Sequence, residues 1–439
     1  MNEYFTERHG MKLSVICFLV FLFLTMFHNR AAAQTDTIRI MSYNCMNYDL
    51  FQTDCPGNND FKKKDAWLRT IVNYNKPDIV SLVEMNPSRT FMLYIRDSVL
   101  NKTCANCYDT CFYSNLYSAS KAAMLFYRKE KFGFISTATV YRDGTSEDVN
   151  WHKLFYIRHD SIQSPDTTFL NILPVHLVSG SSADAQRASQ TAGIMNYLNT
   201  HVGRLSNYII IGDCNIRSSI EQGIQNLLNP ANPRTRFYES TGLLGDYTGD
   251  PSSFTGYLTV STTSSAAALS LQNCSTDKGS KGWYDHAYCS EYIMKETGNV
   301  KYINGSFTVT GQDGNRQGIS VNDPPLNTSA PADVIDAVFR MSNHYPISLK
   351  LLVDLSRKPA NLSDSIASGL TEIERDNSFE LSLTNPVKEI LHFTFSQGSF
   401  YSESEIRITD MSGRLLFTKT GIHHFNRRQF LLLRCRQHK

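Results

Sequence analysis

Several apolar runs in this chain end abruptly in an acid, an amide or an imidazole, the side chains that bind metal ions and transfer protons. They are Asn44 in Ser-Tyr-Asn, Glu84 in Leu-Val-Glu-Met-Asn, His176 in Leu-Pro-Val-His, Asp213 and Asn215 in Gly-Asp-Cys-Asn, Asp285 in Trp-Tyr-Asp-His and His344 in Ser-Asn-His-Tyr-Pro-Ile. Taken singly, each has an ordinary structural explanation, such as a turn cap or a core histidine. Catalytic groups of α/β folds stand at strand ends and in the loops that follow. The ordered set therefore predicts one site at one sheet edge, built from oxygen and nitrogen ligands.

The elements that would position these groups alternate between short apolar runs and helical patterns. The predicted strands are 37–43, 78–83, 122–127, 155–159, 169–176, 208–212 and 347–353. Apolar residues recur at helical spacing over 62–75 and 183–198, which predicts two helices. Strands interleaved with helices over roughly 320 residues predict an α/β fold, a four-layer sandwich of two packed mixed β-sheets flanked by helices.

The order of the motifs carries a family resemblance. Ser-x-Asn, a strand-end Glu, a strand-end His, Gly-Asp-x-Asn, Asp and Ser-x-His-x-Pro-Ile follow one another between residues 37 and 354. This series resembles the endonuclease/exonuclease/phosphatase (DNase I-like) superfamily, whose members include DNases, abasic-site nucleases, sphingomyelinases and inositol-polyphosphate phosphatases. The resemblance implies hydrolysis of a phosphate ester with a divalent metal, usually Mg²⁺, by a catalytic domain over 34–354.

The resemblance also implies a metal site. Glu84, with Asn44 beside it, would hold Mg²⁺ through hard oxygen ligands. Relatives have aspartate immediately before the last histidine, whereas this chain has Asn343 in that ligand position. Because a neutral amide removes one negative charge, we expect weaker Mg²⁺ binding or reliance on Mn²⁺.

The catalytic roles follow from the same resemblance. Asp213 would orient or deprotonate the attacking water, and Asn215 would donate a hydrogen bond to a phosphate oxygen. His176 and His344 would stabilise charge on the pentacovalent phosphorus. Asp285 would accept a hydrogen bond from His344, fix its tautomer and raise its pKa.

The substrate is predicted from cations and aromatic groups rather than from net charge, which is only +2. Some nuclease relatives contact phosphate through a tyrosine where this chain has Lys121, which either replaces it or is a solvated surface lysine. The further candidate phosphate contacts are Lys62–Lys64, Arg217, Arg234, Arg236, Lys278 and Lys281. A charge run such as Lys62–Lys64 is more often a solvated helix face. We expect nucleic acid to be the first substrate class.

Two alternatives remain open. A sphingomyelin or other phospholipid head group would call for an exposed hairpin, for which Gly256-Tyr257-Leu258 is the candidate. A protein that keeps the fold for adhesion or carbohydrate binding is the second alternative, but it would not need this set of acids and histidines. The chain contains no Gly-x-Ser-x-Gly motif for a serine hydrolase.

The N-terminus predicts export. Lys12, an apolar run over 13–27 and Ala31-Ala32-Ala33 describe a secretory signal peptide over 1–33, with Met11 as the start and cleavage after Ala33. A membrane-spanning helix needs about 20 apolar residues, more than this run offers. Ten cysteines agree with an oxidising compartment, and the cluster Cys104, Cys107 and Cys111 favours a loop disulfide over zinc. We expect a monomer, secreted or on the cell surface, without stable membrane insertion.

The C-terminal part differs in composition. Residues 355–377 have the composition of a linker, and short strands follow over 379–382, 390–395, 405–409 and 414–418. Leu383-Thr384-Asn385-Pro386-Val387, Ile406-x-Ile-x-Asp410 and Gly413-Arg414 resemble a type IX secretion sorting domain, which implies contact with that secretion machinery. The family's usual ending is missing from 421–439. We therefore expect a small β-rich unit over 378–439, with an adhesion module as the alternative.

Overall fold

The computed structural model divides into two compact units, Met1–Ser365 and Ile366–Lys439. The described residues are 35–50, 61–102, 104–112, 120–144, 147–157, 167–263, 279–357 and 359, together with the backbone of four C-terminal strands. The predicted signal peptide (1–33), most of the predicted linker (355–377) and the predicted strand 379–382 lie outside them.

The strands of the first unit are numbered along the chain. They are β1 (Thr35–Tyr48), β2 (Ile79–Met85), β3 (Tyr108–Cys111), β4 (Ala122–Arg128), β5 (Phe132–Tyr141), β6 (Val149–Tyr156), β7 (Phe169–His176), β8 (Tyr208–Asp213), β9 (Phe237–Glu239), β10 (Asp285–Ser290), β11 (Val300–Tyr302), β12 (Thr308–Val309) and β13 (Ile347–Asp354). The α-helices are α1 (Phe61–Asn75), α2 (Arg89–Tyr94), α3 (Asp184–His201), α4 (Gln222–Leu228), α5 (Glu291–Met294) and α6 (Ala332–Met341).

Two mixed sheets form the centre of this unit. The seven-stranded sheet has the order β11-β13-β1-β2-β4-β3, with β12 paired to β13, and the six-stranded sheet has the order β5-β6-β7-β8-β10-β9. Each contains one parallel pair, β1 with β2 and β7 with β8, among antiparallel neighbours. Strands β1, β2 and β4 of one sheet contact β7 and β8 of the other, so the sheets pack face to face.

Helices cover the outer faces. Helices α1 and α6 contact each other, and α1 also contacts β1, while α3 and α4 pack together beside β5 and β9. Because both faces of the central strands are covered, β8 is buried along its whole length and is apolar up to Asp213, its last residue. The predicted four-layer α/β sandwich is thus confirmed for the residues described.

Three strands that the sequence did not reveal, β5, β9 and β11, lie at sheet edges. Strand β5 is half-exposed over most of its ten residues, so its apolar signal is diluted. Strand β6 runs from Val149 to Tyr156, whereas the prediction placed a strand at 155–159. Strands β9 and β11 have three residues each, too few to show a period.

The C-terminal unit contains two antiparallel pairs. Strand β14 (Ile390–Thr394) pairs with β17 (Phe430–Arg434), and β15 (Ser404–Thr409) pairs with β16 (Leu415–Ile422). The predicted strands at 390–395, 405–409 and 414–418 coincide with β14, β15 and the first part of β16. Its resemblance to a sorting domain stays a prediction.

The cysteine cluster is resolved into a pair and a single thiol. Cys104 and Cys107 form a disulfide within their loop, while Cys111 is free and buried in β3. Within the described ranges, the helices are all too short or too polar to cross a bilayer.

Candidate active site

Strand pairing brings the predicted residues to one edge. Asn44 in β1 lies level with Val83 of β2, next to Glu84. In the other sheet, His176 pairs with Asp213 across β7 and β8, and Asp213 pairs with Asp285 across β8 and β10. The carboxyl ends of both parallel pairs therefore meet between the two sheets.

Local backbone geometry supports this edge. Gly212, directly before Asp213, has φ +147°, and a Cβ there would meet the carbonyl oxygen of Val175 at 2.0 Å. Only glycine allows β7 and β8 to approach so closely at this point. Glu84 and Asn215 have φ values of +58° and +49°, a left-handed conformation that turns each side chain out of the regular pleat.

His176 is held by an acid that the sequence reading missed. Its Nδ1 lies 2.8 Å from Oε1 of Glu147, and its Nε2 lies 3.4 Å from Oε1 of Glu84. The same Glu147 oxygen accepts a hydrogen bond from the Glu84 backbone N–H at 3.0 Å. Glu147 thus fixes both the imidazole and the strand end that carries the neighbouring carboxylate.

The antiparallel pairing of β6 with β7 is the signal that could have identified Glu147. Glu147 lies two residues ahead of β6, which is antiparallel to β7 and pairs His152 with Ile172. Continuing that register places Asp148 level with His176. An acid at the start of an antiparallel strand meets the end of its neighbour, but the boundaries of β6 were needed to see it.

His344 is held in the same way by a predicted partner. Its Nδ1 lies 2.8 Å from Oδ2 of Asp285, which fixes the ring, and its backbone N–H donates to Oγ of Ser342 at 3.1 Å. The Asp285 side chain is itself buried, at 1% exposed. The contact between Asp285 and His344 is the one that was expected, and the tautomer-fixing role of Asp285 stays a prediction.

Both imidazoles point at Asp213. The Nε2 atoms of His176 and His344 each lie 3.6 Å from its Oδ2. Asn44 donates through Nδ2 to the same oxygen at 2.9 Å and to Oε1 of Glu84 at 3.2 Å. Its own Oδ1 accepts from the Met46 N–H, so Asn44 presents its amide nitrogen, and not the predicted ligand oxygen, to the two carboxylates.

Neighbouring carboxylates raise the pKa of both imidazoles in the site. Burial lowers the pKa of His176, but Glu147 and Glu84 raise it to about 9. Burial likewise opposes the charged form of His344, and Asp285 and Asp213 raise its pKa to about 9.

The two central carboxyls respond differently. Burial raises the pKa of Asp213, and the neighbouring imidazoles offset only part of that rise. Burial also acts to raise the pKa of Glu84, but His176 and Lys121 bring it down to about 2. Glu84 is therefore ionised near neutral pH.

Lys121 lies inside the site rather than on a solvated surface. Its Nζ is 2.8 Å from Oε2 of Glu84, and the lysine side chain is 24% exposed. The Asn47 N–H donates to the same oxygen at 3.0 Å. Lys121 thus forms an ion pair with the carboxylate that was predicted to bind the metal.

A second arrangement could also hold a metal ion. One ligand atom each from Asp213, Asp285 and His344 lie within 4.8 Å of one another. This group shares no member with the predicted ligands Asn44, Glu84 and Asn343. Because His344 is bonded to Asp285 through Nδ1, an ion in this group would have to replace the imidazole proton facing Asp213.

The remaining predicted residues are half-buried. Asn215 donates through Nδ2 to the Leu177 carbonyl at 2.9 Å, so its amide is engaged in the loop after β7. Arg217 is half-buried, with Nη1 3.5 Å from the Tyr284 hydroxyl. The structure gives Asn343 a backbone role, since its carbonyl accepts from the Thr262 N–H at 3.0 Å.

One of the other predicted phosphate contacts is wrong. Lys64 is fully buried, and its Nζ donates to the carbonyls of Cys45 and Met46 at 2.7 and 2.8 Å. It supports the backbone after Asn44 instead of facing solvent. The charge run Lys62–Lys64 was misleading because a helix directs about three to four residues in every two turns toward the core, and Lys64 is one of them. Lys278 lies outside the described residues.

Comparison with known proteins gives structural likeness only. No known protein-family model and no curated protein sequence matches the chain. Among solved structures, the human Nocturnin catalytic domain with bound sulfate is 10% identical with a TM-score of 0.42, over 72% of this chain and 97% of that one. An endonuclease/exonuclease/phosphatase family protein from Bacteroides thetaiotaomicron is 12% identical with a TM-score of 0.43, over 73% and 99%. Truncated Caenorhabditis elegans TDP2 is 17% identical with a TM-score of 0.44, over 72% and 98%. At these values the likeness assigns neither activity nor substrate to this chain.

Proposed function

We propose that this chain is a divalent-metal-dependent phosphoesterase of the endonuclease/exonuclease/phosphatase superfamily, acting on phosphodiester bonds and foremost on nucleic acid. One observation carries the proposal. Two carboxylate–imidazole pairs, Glu147–His176 and Asp285–His344, converge on Asp213, with each imidazole 3.6 Å from the same oxygen. Two cationic donors around one acid suit a reaction in which negative charge grows on a phosphoryl group.

The imidazoles supply the electrostatic part. With their pKa raised to about 9, His176 and His344 carry a proton near neutral pH and present Nε2–H to a phosphate oxygen. The acids behind them keep the rings oriented, so little reorganisation is needed when charge develops. General acid help of this kind contributes about 10²–10⁴-fold.

Asp213 is the group that would receive the attacking water. Its Oδ1 is anchored by the Asn215 N–H at 3.0 Å, and its Oδ2 faces the imidazoles and Asn44. Because burial raises its pKa, Asp213 is a stronger base than a solvated aspartate. It can therefore orient a water and accept its proton.

The donor set fits a hard divalent cation. Glu84 offers a charged carboxylate whose side chain is 15% exposed, and Asp213 lies across Asn44 from it. Carboxylate oxygens are the ligands that Mg²⁺ and Mn²⁺ take in proteins. When bound there, the cation would polarise a phosphoryl oxygen as a Lewis acid. Lys121 would have to leave Glu84, which a flexible four-carbon chain allows.

Exposed cations near the site support a polyanionic substrate. Val260 bridges both Gly282 and His344, and the neighbouring Lys281 is exposed. Arg217 follows the Asp213 strand on the same loop and is half-buried. Such cations bind phosphates that flank a scissile bond, and they steer a charged chain toward it.

A phospholipid substrate is the second candidate, but it is supported by other loops than the one that the sequence suggested. The predicted hairpin at Gly256–Leu258 is not exposed apolar surface, because Leu258 is fully buried and Tyr257 stacks on Trp283 with centroids 5.0 Å apart. Two other loops do expose apolar groups. Ile220 is 84% and Leu244 is 55% exposed, and the loops are joined by the Ser219 N–H donating to the Gly245 carbonyl at 2.8 Å.

Export completes the proposal. The signal-type segment over 1–33 supports secretion or display at the cell surface, and the motifs over 383–414 support passage through a type IX system. The disulfide Cys104–Cys107 agrees with an oxidising compartment.

The test is hydrolysis by the full-length chain of plasmid DNA, RNA, sphingomyelin vesicles and a bis-aryl phosphodiester. Each reaction is run with Mg²⁺, with Mn²⁺ and with EDTA, beside Asp213→Asn and the matched surface variant Asp336→Asn. We expect cleavage that needs metal, survives in the surface variant and falls by a factor of about 10² or more in Asp213→Asn. A folded protein that cleaves none of the substrates would refute the proposal.

Metal preference has its own test. An Asn343→Asp variant restores the charge expected at that position. We expect it to reach half-maximal activity at lower Mg²⁺ concentration than the unchanged chain. An unchanged metal dependence would remove Asn343 from the ligand set.

A further inference from the structure

A cavity of about 600 Å³ lies on the outer side of the seven-stranded sheet. Its floor is formed by Arg39 of β1 and by Ser348 and Lys350 of β13. Successive side chains of a strand point to opposite faces. Arg39 precedes Asn44 by five residues in a regular part of β1, so the cavity and the candidate active site lie on opposite faces of the same strand.

The floor contains an uncompensated pair of like charges. Arg39 and Lys350 are directly opposite each other in the antiparallel register of β1 and β13. Side chains so placed have Cβ atoms about 5 Å apart, and like charges there are destabilising. No acid lines the cavity, and neither cation forms an ion pair within the described part of the chain. The guanidinium of Arg39 has one hydrogen bond, to the Asn75 carbonyl.

A buried hydroxyl beside this pair also lacks a partner. Ser348 is 4% exposed, and its Oγ has no hydrogen-bond partner among the described residues. A buried polar atom left unpaired costs free energy, and most such atoms in folded proteins are paired. Two cations and an unused hydroxyl around one space are the donors that a phosphate group takes.

Aromatic side chains border the same space. Tyr74, at the end of α1, is 41% exposed, and its hydroxyl donates to the Ser329 carbonyl at 3.3 Å. Tyr257 lies on the other side and is held by its stack on Trp283. A cavity of this size accommodates a small organic ligand, and the two tyrosines offer faces for a planar ring.

We propose that this cavity is a second binding site, for a phosphate monoester that carries a sugar or base ring, with the phosphate on Arg39, Lys350 and Ser348. The site binds without cleaving, because no acid or imidazole lines it. It does not depend on the proposed phosphoesterase activity, since the two sites lie on opposite faces of β1.

The test is isothermal titration calorimetry of the full-length chain with adenosine 5′-monophosphate in EDTA, beside adenosine and inorganic phosphate. Lys350→Gln and Ser348→Ala probe the cavity. Lys301→Gln is the matched control, because Lys301 lies on the adjacent strand β11 but is paired with Glu296 at 3.3 Å. His344→Gln reports on binding at the candidate active site.

We expect Lys350→Gln to weaken binding of the monophosphate by about tenfold or more, because it removes one charge-assisted contact. Ser348→Ala should weaken it less, and Lys301→Gln and His344→Gln should leave it unchanged. Equal affinity in Lys350→Gln and the unchanged chain would overturn the site, as would a loss confined to His344→Gln. Inorganic phosphate binding as tightly as the nucleotide would overturn the ring-bearing ligand.

Discussion

His152 makes the stability of the first unit depend on pH. It is fully buried in β6, its Nδ1 lies 2.8 Å from the Thr137 hydroxyl, and its Nε2 has no partner in the described residues. Burial lowers its pKa from 6.5 to about 3. The folded protein therefore keeps the ring neutral, whereas the unfolded chain takes up a proton below pH 6.5. The stabilisation is complete above pH 6.5 and is lost as the pH falls toward 3.

The size of the effect follows from the shift. Between the two pKa values the free energy of unfolding falls by about 1.4 kcal/mol per pH unit. From pH 7.5 to pH 5 the loss comes to about 2 kcal/mol. Replacing His152 by Gln keeps a polar group near Thr137 but removes the titration, so this part of the pH dependence should vanish.

The assay is urea unfolding at pH 7.5, 6 and 5. All three tryptophans, Trp67, Trp151 and Trp283, belong to the first unit, so their fluorescence reports on it alone. The control His201→Gln removes an exposed histidine and should follow the unchanged chain. If the difference between His152→Gln and the unchanged chain stays constant within about 0.5 kcal/mol over this range, the reasoning is refuted.

Three further outcomes test the site itself. Glu147→Gln should lower kcat about tenfold or more with little change in KM, because the charge that holds His176 protonated is lost. A rise in KM as large as the fall in kcat would contradict this. Lys121→Met should lower the Mg²⁺ concentration for half-maximal cleavage, because it frees Glu84, and an increase would show that Lys121 is needed in place. Gly212→Ala should lower the free energy of unfolding by about 3 kcal/mol or more, because alanine is strained at this positive φ and its Cβ would clash with the Val175 carbonyl oxygen. An unchanged midpoint in urea unfolding would contradict the close approach of the two strands.

The central strands could be predicted because they are buried on both faces. Strands β2, β7 and β8 are mostly apolar, and a polar side chain of the site stands at or next to the end of each. That coincidence marked Glu84, His176 and Asp213 without knowledge of the sheet order. Asp285 and His344 were found through the motif order instead, since β10 begins with Asp285 and His344 precedes β13.

What could not be predicted depends on tertiary position. Glu147 precedes its strand, so no apolar run points to it, and only the antiparallel register with β7 brings it to His176. The burial of Lys64 depends on where α1 packs, which a charge run conceals. Lys121 and Glu84 are far apart in sequence, and their contact arises from the pairing of β2 with β4.

The exposure of the paired groups agrees with the reaction centre that we propose. The acids lie behind, with side chains 2% exposed for Glu147 and 1% for Asp285, and the imidazoles lie in front, at 13% for His176 and 9% for His344. Partial exposure lowers the desolvation cost of the charged rings, and it also leaves them within reach of a ligand. Rings that are fixed from behind by a hydrogen bond, and open at Nε2, are placed to donate to something that arrives from solvent. In the proposed reaction, Asp213, 2% exposed between them, is the residue that would receive the attacking water.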